Sequence, residues 1–473
     1  MYRDPMRDAG DGQTAAGTRS ARCEREAPVV SASTRPLPRM GVWALAWPAI
    51  LGNLLFSTVG FIDLKIVGSL GPPAVAAVTT GNRIFFVMQA VLVAVTTGTS
   101  ALVARAWGAG DRDEAERLTR VSVWLGVALS LPFAVGGALF ARPIAALFRL
   151  EPGTVDLAAA FIRWLAPFQV AVAAGFVLGA ALRAAGDTRT PLWIGALTNA
   201  LNVVLLYGLV YGKLGLPKHG VTGAAIASGL AFAAGTLLFL VLWRRGWLLL
   251  HTGPPGAFRS SRIRRLLAIG YPAGIEQGLW QGGFLAFLWI ISLYGTAPYA
   301  AYGIGTSILS FSFVVGFGFS IAASTLVGQH LGAADPDGAA RSGWRAMAFS
   351  IAVMLVFGTA IILVARPIAR FLIDDPEVVR LTVAFIYVLG SVQALMAIEF
   401  SLSGALRGAG DTRFPLLTVA CGLFGVRILL AAVFAWRGLR VEWVFAALIG
   451  DYIAKATLLT WRFRSGRWKA AIP

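Results

Sequence analysis

Twelve apolar segments separated by short polar breaks fill the chain from residue 41 onward: 41–64, 76–104, 119–141, 157–182, 191–212, 221–243, 265–293, 299–328, 344–365, 379–405, 415–436 and 441–461. A helix needs roughly 20 apolar residues to cross the hydrocarbon core, so each segment can span a bilayer. The pattern predicts an all-α polytopic membrane protein. Lipid offers the backbone no partners, and a helix keeps its hydrogen bonds to itself. The chain is 57% hydrophobic and 14% charged, whereas soluble proteins carry roughly 25% charged residues. With 473 residues committed to about twelve crossings, little remains for a separate soluble domain.

Self-comparison divides the spans into two halves. Ala-Leu-Arg-Ala-Ala-Gly-Asp-Thr-Arg-Thr-Pro-Leu, ending at Leu192, returns as Ala-Leu-Arg-Gly-Ala-Gly-Asp-Thr-Arg-Phe-Pro-Leu, ending at Leu416, an offset of 224 residues. The same offset carries Pro48 to Pro272, Gly71 to Gly295, Ser100 to Ser324, Gly108 to Gly332, Asp111 to Asp335 and Arg142-Pro143 to Arg366-Pro367. Six crossings per half is an even number, so the halves share one orientation as a parallel repeat about an axis along the membrane normal. Two such bundles can rock about a cleft and expose a midplane site to either face in turn. The expected organisation is an Arg-rich tail over 1–40, an N-lobe over 41–246, a linker over 247–262, a C-lobe over 263–463 and a short end over 464–473.

Charge sets the sidedness. The net charge of +18 would suggest nucleic acid in a soluble protein, but here it follows the loops. If the tail is cytoplasmic, that side carries 27 Lys and Arg against 9 opposite, with five inside spans. The bias predicts both termini in the cytoplasm. No apolar core of a secretory signal occurs in the tail, which reads as disordered on composition. Arg outnumbers Lys by 36 to 5, as in a high-GC bacterium, and an inner-membrane location is expected. Cys23 and Cys421 lie in settings unsuited to a disulfide.

The repeated hairpins have a local logic. Gly186 and Gly410 can end one helix in left-handed geometry, Asp187 or Thr188 and Asp411 or Thr412 can cap the next, and its first turn tolerates Pro191 or Pro415. Gly108 to Asp111 and Gly332 to Asp335 read the same way. The functional reading makes Arg183, Asp187, Arg407 and Asp411 a cytoplasmic gate, paired in one state and open in the other.

The residues resemble those of the multidrug and toxic compound extrusion (MATE) transporters. The likeness is carried by Trp47 to Asn53 with Phe61-Ile62-Asp63, Trp107 to Asp111, Leu182 to Leu192, Gly220 to Ala225, Leu326 to Ala333, Leu406 to Leu416 and Gly466 to Lys469. It covers residues 41 to 470. It implies a twelve-helix antiporter of two lobes that exports amphipathic, often cationic drugs or toxic organic cations in exchange for H+ or Na+. The resemblance brings no cofactor, no metal and no nucleic-acid partner, and a monomer is expected.

An ionisable side chain at span depth costs roughly 2.5–3.5 kcal/mol on insertion scales, so each is a candidate. Asp63 matches the first-span aspartate that the family uses for cation coupling, and Asn202 and Ser228 match its polar partners. The family's second N-lobe carboxylate falls on Leu206. On the seventh span Glu276 follows Pro272 by one turn, with Gln277, Trp280 and Gln281 beside it, and Glu399 lies on the tenth. These five are the expected substrate-binding group, although the family places its own carboxylates about a turn away. Pairing with Arg427 or Lys455 would be a structural role for Glu276 and Glu399. Asp451 and Lys455, four apart on one face, should join Arg427 in a structural ion network.

No phosphate loop, metal-ligand spacing or nucleophile triad appears, and His219, His251 and His330 fall in separate loops. Asp374-Asp375 alone does not make a diphosphate-binding enzyme. A flippase for a lipid-linked precursor, of the same wider superfamily, would favour fourteen spans and a cavity lined by arginines. The acidic cleft candidates favour a cationic substrate.

Overall fold

The computed structural model describes residues 41–254 and 256–470. The expected tail over 1–40 lies outside the described residues. Among those described the protein is all helical. The N-lobe holds α1 (Val42–Gly68), α2 (Pro72–Gly108), α3 (Arg112–Leu139), α4 (Ala141–Ala146), α5 (Pro152–Leu165), α6 (Gln169–Ala185), α7 (Arg189–Tyr211) and α8 (Gly220–Arg244). The C-lobe holds α9 (Ser260–Ser292), α10 (Thr296–Gly332), α11 (Pro336–Leu363), α12 (Ala365–Leu372), α13 (Pro376–Ser391), α14 (Gln393–Ala409), α15 (Arg413–Val419), α16 (Leu429–Trp436) and α17 (Val441–Arg464). A π-helical stretch, Ala420–Ile428, joins α15 to α16.

Ten helices among the described residues are long and apolar enough to cross a membrane, with α5 and α6 counted as one and α15 to α16 as another. The pair α13 and α14, bent by 49°, makes an eleventh. The twelfth is α9, 33 residues long; its leading arginines and its Glu276, Gln277 and Gln281 dilute its hydropathy. The protein is thus a multi-pass membrane protein.

The repeat holds at the level of helix ends. Shifted by 224, α2 runs from 296 to 332, α3 from 336 to 363 and α6 from 393 to 409, and these are the bounds of α10, α11 and α14. The last pair, α8 and α17, loses the register at both ends, and α9 starts six residues before the shifted start of α1 while ending with it. The turns match too. Gly186 and Gly410 close α6 and α14 in left-handed geometry, and Asp111 and Asp335 cap α3 and α11 by accepting from the Glu114 and Gly338 N–H groups. Gly110, at φ 75°, has Ala334 as its mate, held at φ 56° although it carries a Cβ.

The lobes meet in the halves nearest the 186–189 and 410–413 hairpins, here called the hairpin face. A Cβ on Gly108 would enter the Gln329 backbone, and one on Gly332 would enter that of Arg105. Arg105 and Gln329 are themselves repeat mates, so this α2–α10 crossing is self-complementary, as in a twofold dimer. Gln329 Nε2 adds a bond to the Ala184 carbonyl at 2.9 Å and Thr325 Oγ1 one to that of Arg183 at 3.1 Å. Both acceptors lie in the last turn of α6, where carbonyls lack a full set of intrahelical partners; that of Arg183 also accepts from the Gly186 N–H at 3.0 Å.

The segment expected as a linker is docked. Arg120 donates to the carbonyls of Thr252 and Gly253, the His251 N–H donates to Glu116 at 3.1 Å, and Arg262 forks onto Glu114 at 2.8 and 2.6 Å. Helix α9 therefore starts at Ser260 on a strap fixed to α3. Near the chain end Trp468 is fully buried, stacked on Phe463 at 4.7 Å.

Candidate functional site

Two cavities flank the lobe junction, and Gln89 of α2 lines both. The C-lobe cavity, about 500 Å³, is walled by α9, α10 and α14. All five residues expected there line it: Glu276, Gln277, Trp280, Gln281 and Glu399. Pro272 interrupts the backbone bonding of α9 one turn before Glu276, and a proline inside a helix frees a carbonyl and bends the axis.

Neither carboxylate stands alone. Arg407 Nη2 reaches Glu276 Oε1 at 2.5 Å, a partner outside the four residues expected to form the gate. Glu399 Oε1 lies 3.2 Å from Lys455 Nζ, as the structural alternative expected. Behind it the ion network forms as predicted: Lys455 meets Asp451 at 3.3 Å, and Asp451 meets Arg427 at 2.5 Å. All four charges are buried. Gly422, in the π-helical stretch, leaves the space that Asp451 and Lys455 occupy. Trp280 presents its face to Lys455 Nζ at 4.8 Å and its edge region to Phe313, at 5.5 Å between centroids.

The N-lobe cavity, about 300 Å³, is lined by α1, α6, α7 and α8, with Phe56, Phe176, Phe232 and Phe239 as aromatic walls. The buried Asn199 also lines it, and sequence reasoning missed it, because a polar residue on an apolar span carries no sign of which helix it faces; buried Thr188, expected only as a cap, lines the cavity too.

The hairpin residues separate. Asp187 caps α7, accepting from the Thr190 N–H at 2.9 Å, and Asp411 pairs with Arg462 at 2.8 Å. Arg183 lines the N-lobe cavity. In this structure neither hairpin arginine pairs with its own aspartate.

Asp63 lies two turns beyond Phe56 on α1, past the cavity lining. Asn202 Nδ2 donates to both of its oxygens, at 3.4 and 3.2 Å. The Asn202 Oδ1 atom is buried without a hydrogen-bond partner, so an acceptor stands free beside a carboxylate. Ser228 makes no hydrogen bond to this pair among the described residues, and Lys65 makes no ion pair with Asp63. Leu206 is buried in the apolar cluster with Val67 and Leu209, which leaves the pair with a single carboxylate.

Comparison with known proteins agrees with this architecture. The MatE family profile matches residues 48–208 and again 272–433, once in each lobe. The chain is 32% identical over 434 residues to a probable multidrug resistance protein NorM of Thermotoga maritima, covering 90% of this chain and 92% of that one. It is 31% identical over 432 residues to a probable NorM of Burkholderia mallei, covering 89% and 91%. The crystal structure of the Vibrio cholerae MATE transporter VcmN in its bent form shares the fold at a TM-score of 0.82 and 21% identity, covering 90% and 97%. With one match per lobe and a relative aligned over nearly its whole length, the chain belongs to the MatE family.

Proposed function

We propose that this chain is a secondary active efflux antiporter that exports amphipathic, mainly cationic small molecules by alternating access of its two lobes. The reading rests on one observation above all. The lobes close on each other at the hairpin face through the self-complementary Gly108–Gly332 crossing, while two lined cavities lie beside the junction. The names of the relatives, multidrug resistance proteins, support drug-like substrates. The threefold excess of Lys and Arg on the hairpin side supports a bacterial inner-membrane protein with that face and both termini in the cytoplasm. It acts as a monomer, since one chain supplies both lobes.

Export is coupled to H+ or Na+ at Asp63, and the geometry favours H+. Sodium is a hard cation that wants several oxygens. Asp63 and Asn202 Oδ1 offer three, with Leu206 where the family's second carboxylate would add more. Proton entry at Asp63 then alternates with substrate in the cavities. Proteoliposomes with proton and sodium gradients imposed separately test this: uphill export of a cationic dye is expected on the proton gradient and lost in Asp63→Asn. Normal uphill export by Asp63→Asn overturns the coupling assignment.

A further inference from the structure

The two cavities are repeat mates with opposite polarity. The 224-residue offset carries Ala49, Phe176, Gly179 and Arg183 of the N-lobe cavity onto Ala273, Phe400, Ser403 and Arg407 of the C-lobe cavity. At two positions the lobes differ in charge. Glu276 has Gly52 as its mate, and Glu399 has Gly175. Both carboxylates are thus absent from the N-lobe cavity, and the arginine is kept.

The consequence is visible in Arg183. Its mate Arg407 is held by Glu276 at 2.5 Å, whereas no hydrogen bond, ion pair or ring contact engages the Arg183 guanidinium among the described residues. Among the described residues, Arg183 is the one ionisable side chain that lines the N-lobe cavity. Its side chain folds back along α6, with Nη1 at 3.3 Å from where a Cβ on Gly179 would sit. The half-buried guanidinium has no counter-charge among the described residues, and a planar fork of N–H donors suits a carboxylate.

We propose that Arg183 is the counter-charge for substrates that carry a carboxylate on an amphipathic aromatic frame, bound in the N-lobe cavity. The inference rests on the efflux reading and deepens it by naming the residue that reads an acidic group on the substrate, opposite the C-lobe acids that suit a cationic one. The four phenylalanines supply the apolar walls. Gly52 leaves the room that Glu276 occupies in the other lobe, whereas Thr236 fills the space beside Gly175.

The test compares rhodamine B, which has a free carboxylate, with its ethyl ester, which keeps the same cationic ring system. Binding to purified protein and export from proteoliposomes are both measured. The wild type is expected to hold the acid more tightly than the ester, and Arg183→Gln to cut that preference about tenfold. Gly52→Glu keeps Arg183 but hands it the carboxylate that Glu276 provides in the other lobe; the Cβ there meets only Leu192 Cδ1 at 3.7 Å. It should remove the same preference, and Gly52→Gln should restore part of it. An acid-to-ester ratio unchanged in both Arg183→Gln and Gly52→Glu overturns the anion site, as does a wild type that exports the ester and rejects the acid. A wild type that exports neither dye overturns the efflux reading itself.

Discussion

Arg407 Nη2 and Glu276 Oε1 stand 2.5 Å apart and tie α14 to α9 across the C-lobe cavity. Glu276 is buried, and its side chain and that of Arg407 are 6% and 23% exposed. An organic cation that uses Glu276 must therefore displace a resident guanidinium. Glu276→Gln should weaken binding of a monovalent cationic dye about tenfold, and that of a neutral dye much less, as expected for loss of a charged partner. Arg407→Gln should move cation affinity the other way, because it removes the competitor. Dye titrations on the two variants check this, and a loss of equal size for both dyes in Glu276→Gln would mark a packing role instead.

The ion network behind that cavity is a matter of stability. Arg427, Asp451, Lys455 and Glu399 place two positive and two negative charges inside the C-lobe. Taking one partner from a buried set costs roughly 3–5 kcal/mol, because the charge left behind stays desolvated. Asp451→Asn should lower the melting temperature in detergent sharply. Replacing Arg427 and Asp451 together by Met and Leu should cost much less than the single change. A melting temperature unaltered in Asp451→Asn would show that the set contributes little.

Much of this was legible in sequence, and the reason is the repeat. An offset of 224 residues located the hairpins, the left-handed glycines and the pairing of spans, because helix ends depend on neighbours within a few residues. Asp63 and Asn202 were legible through the family motif, and Arg427, Asp451 and Lys455 as buried charges that must compensate one another. What the sequence did not specify is which helix faces turn toward each other. Arg407 found Glu276, 131 positions away, because tertiary packing, including the 49° break before α14, sets which faces of α9 and α14 meet. The expected gate grouped Arg407 and Asp411 with the other hairpin's Arg183 and Asp187, and Asp411 instead faces Arg462 on α17.

The seam at the hairpin face has a specific lock. Gln329 is buried and donates to the Ala184 carbonyl at 2.9 Å, across the lobe boundary. Gln329→Leu removes the donor and leaves that carbonyl unpaired, at a cost of about 1 kcal/mol or more. The closed arrangement should lose population by several-fold. Hydrogen exchange at the end of α6, or labelling of a cysteine introduced at the seam, would report the opening. Unchanged protection in Gln329→Leu would place the lock elsewhere.

The turn between α10 and α11 offers a paired test of backbone and charge. Ala334 sits at φ 56°, where its mate Gly110 sits at φ 75°. A left-handed residue with a Cβ costs roughly 1–2 kcal/mol, part of which glycine returns through its greater freedom when unfolded. Ala334→Gly should thus stabilise the protein by about 1 kcal/mol. The next residue, Asp335, accepts from the Gly338 N–H at 2.7 Å and faces His330 Nδ1 at 3.1 Å. The Gly338 N–H first, and His330 after it, hold its carboxyl below the ordinary 3.8. A depressed folded-state pKa means that the cap stabilises fully above the unfolded value and is lost as pH falls through the folded one. Asp335→Ala should cost about 1 kcal/mol at neutral pH, a gap that narrows only below pH 3.8, whereas the gain from Ala334→Gly should not vary with pH. Melting curves of both variants at pH 7 and at pH 3 distinguish the two effects. A glycine variant less stable than the wild type would mean that the strain at Ala334 is smaller than the entropy that glycine adds to the unfolded chain.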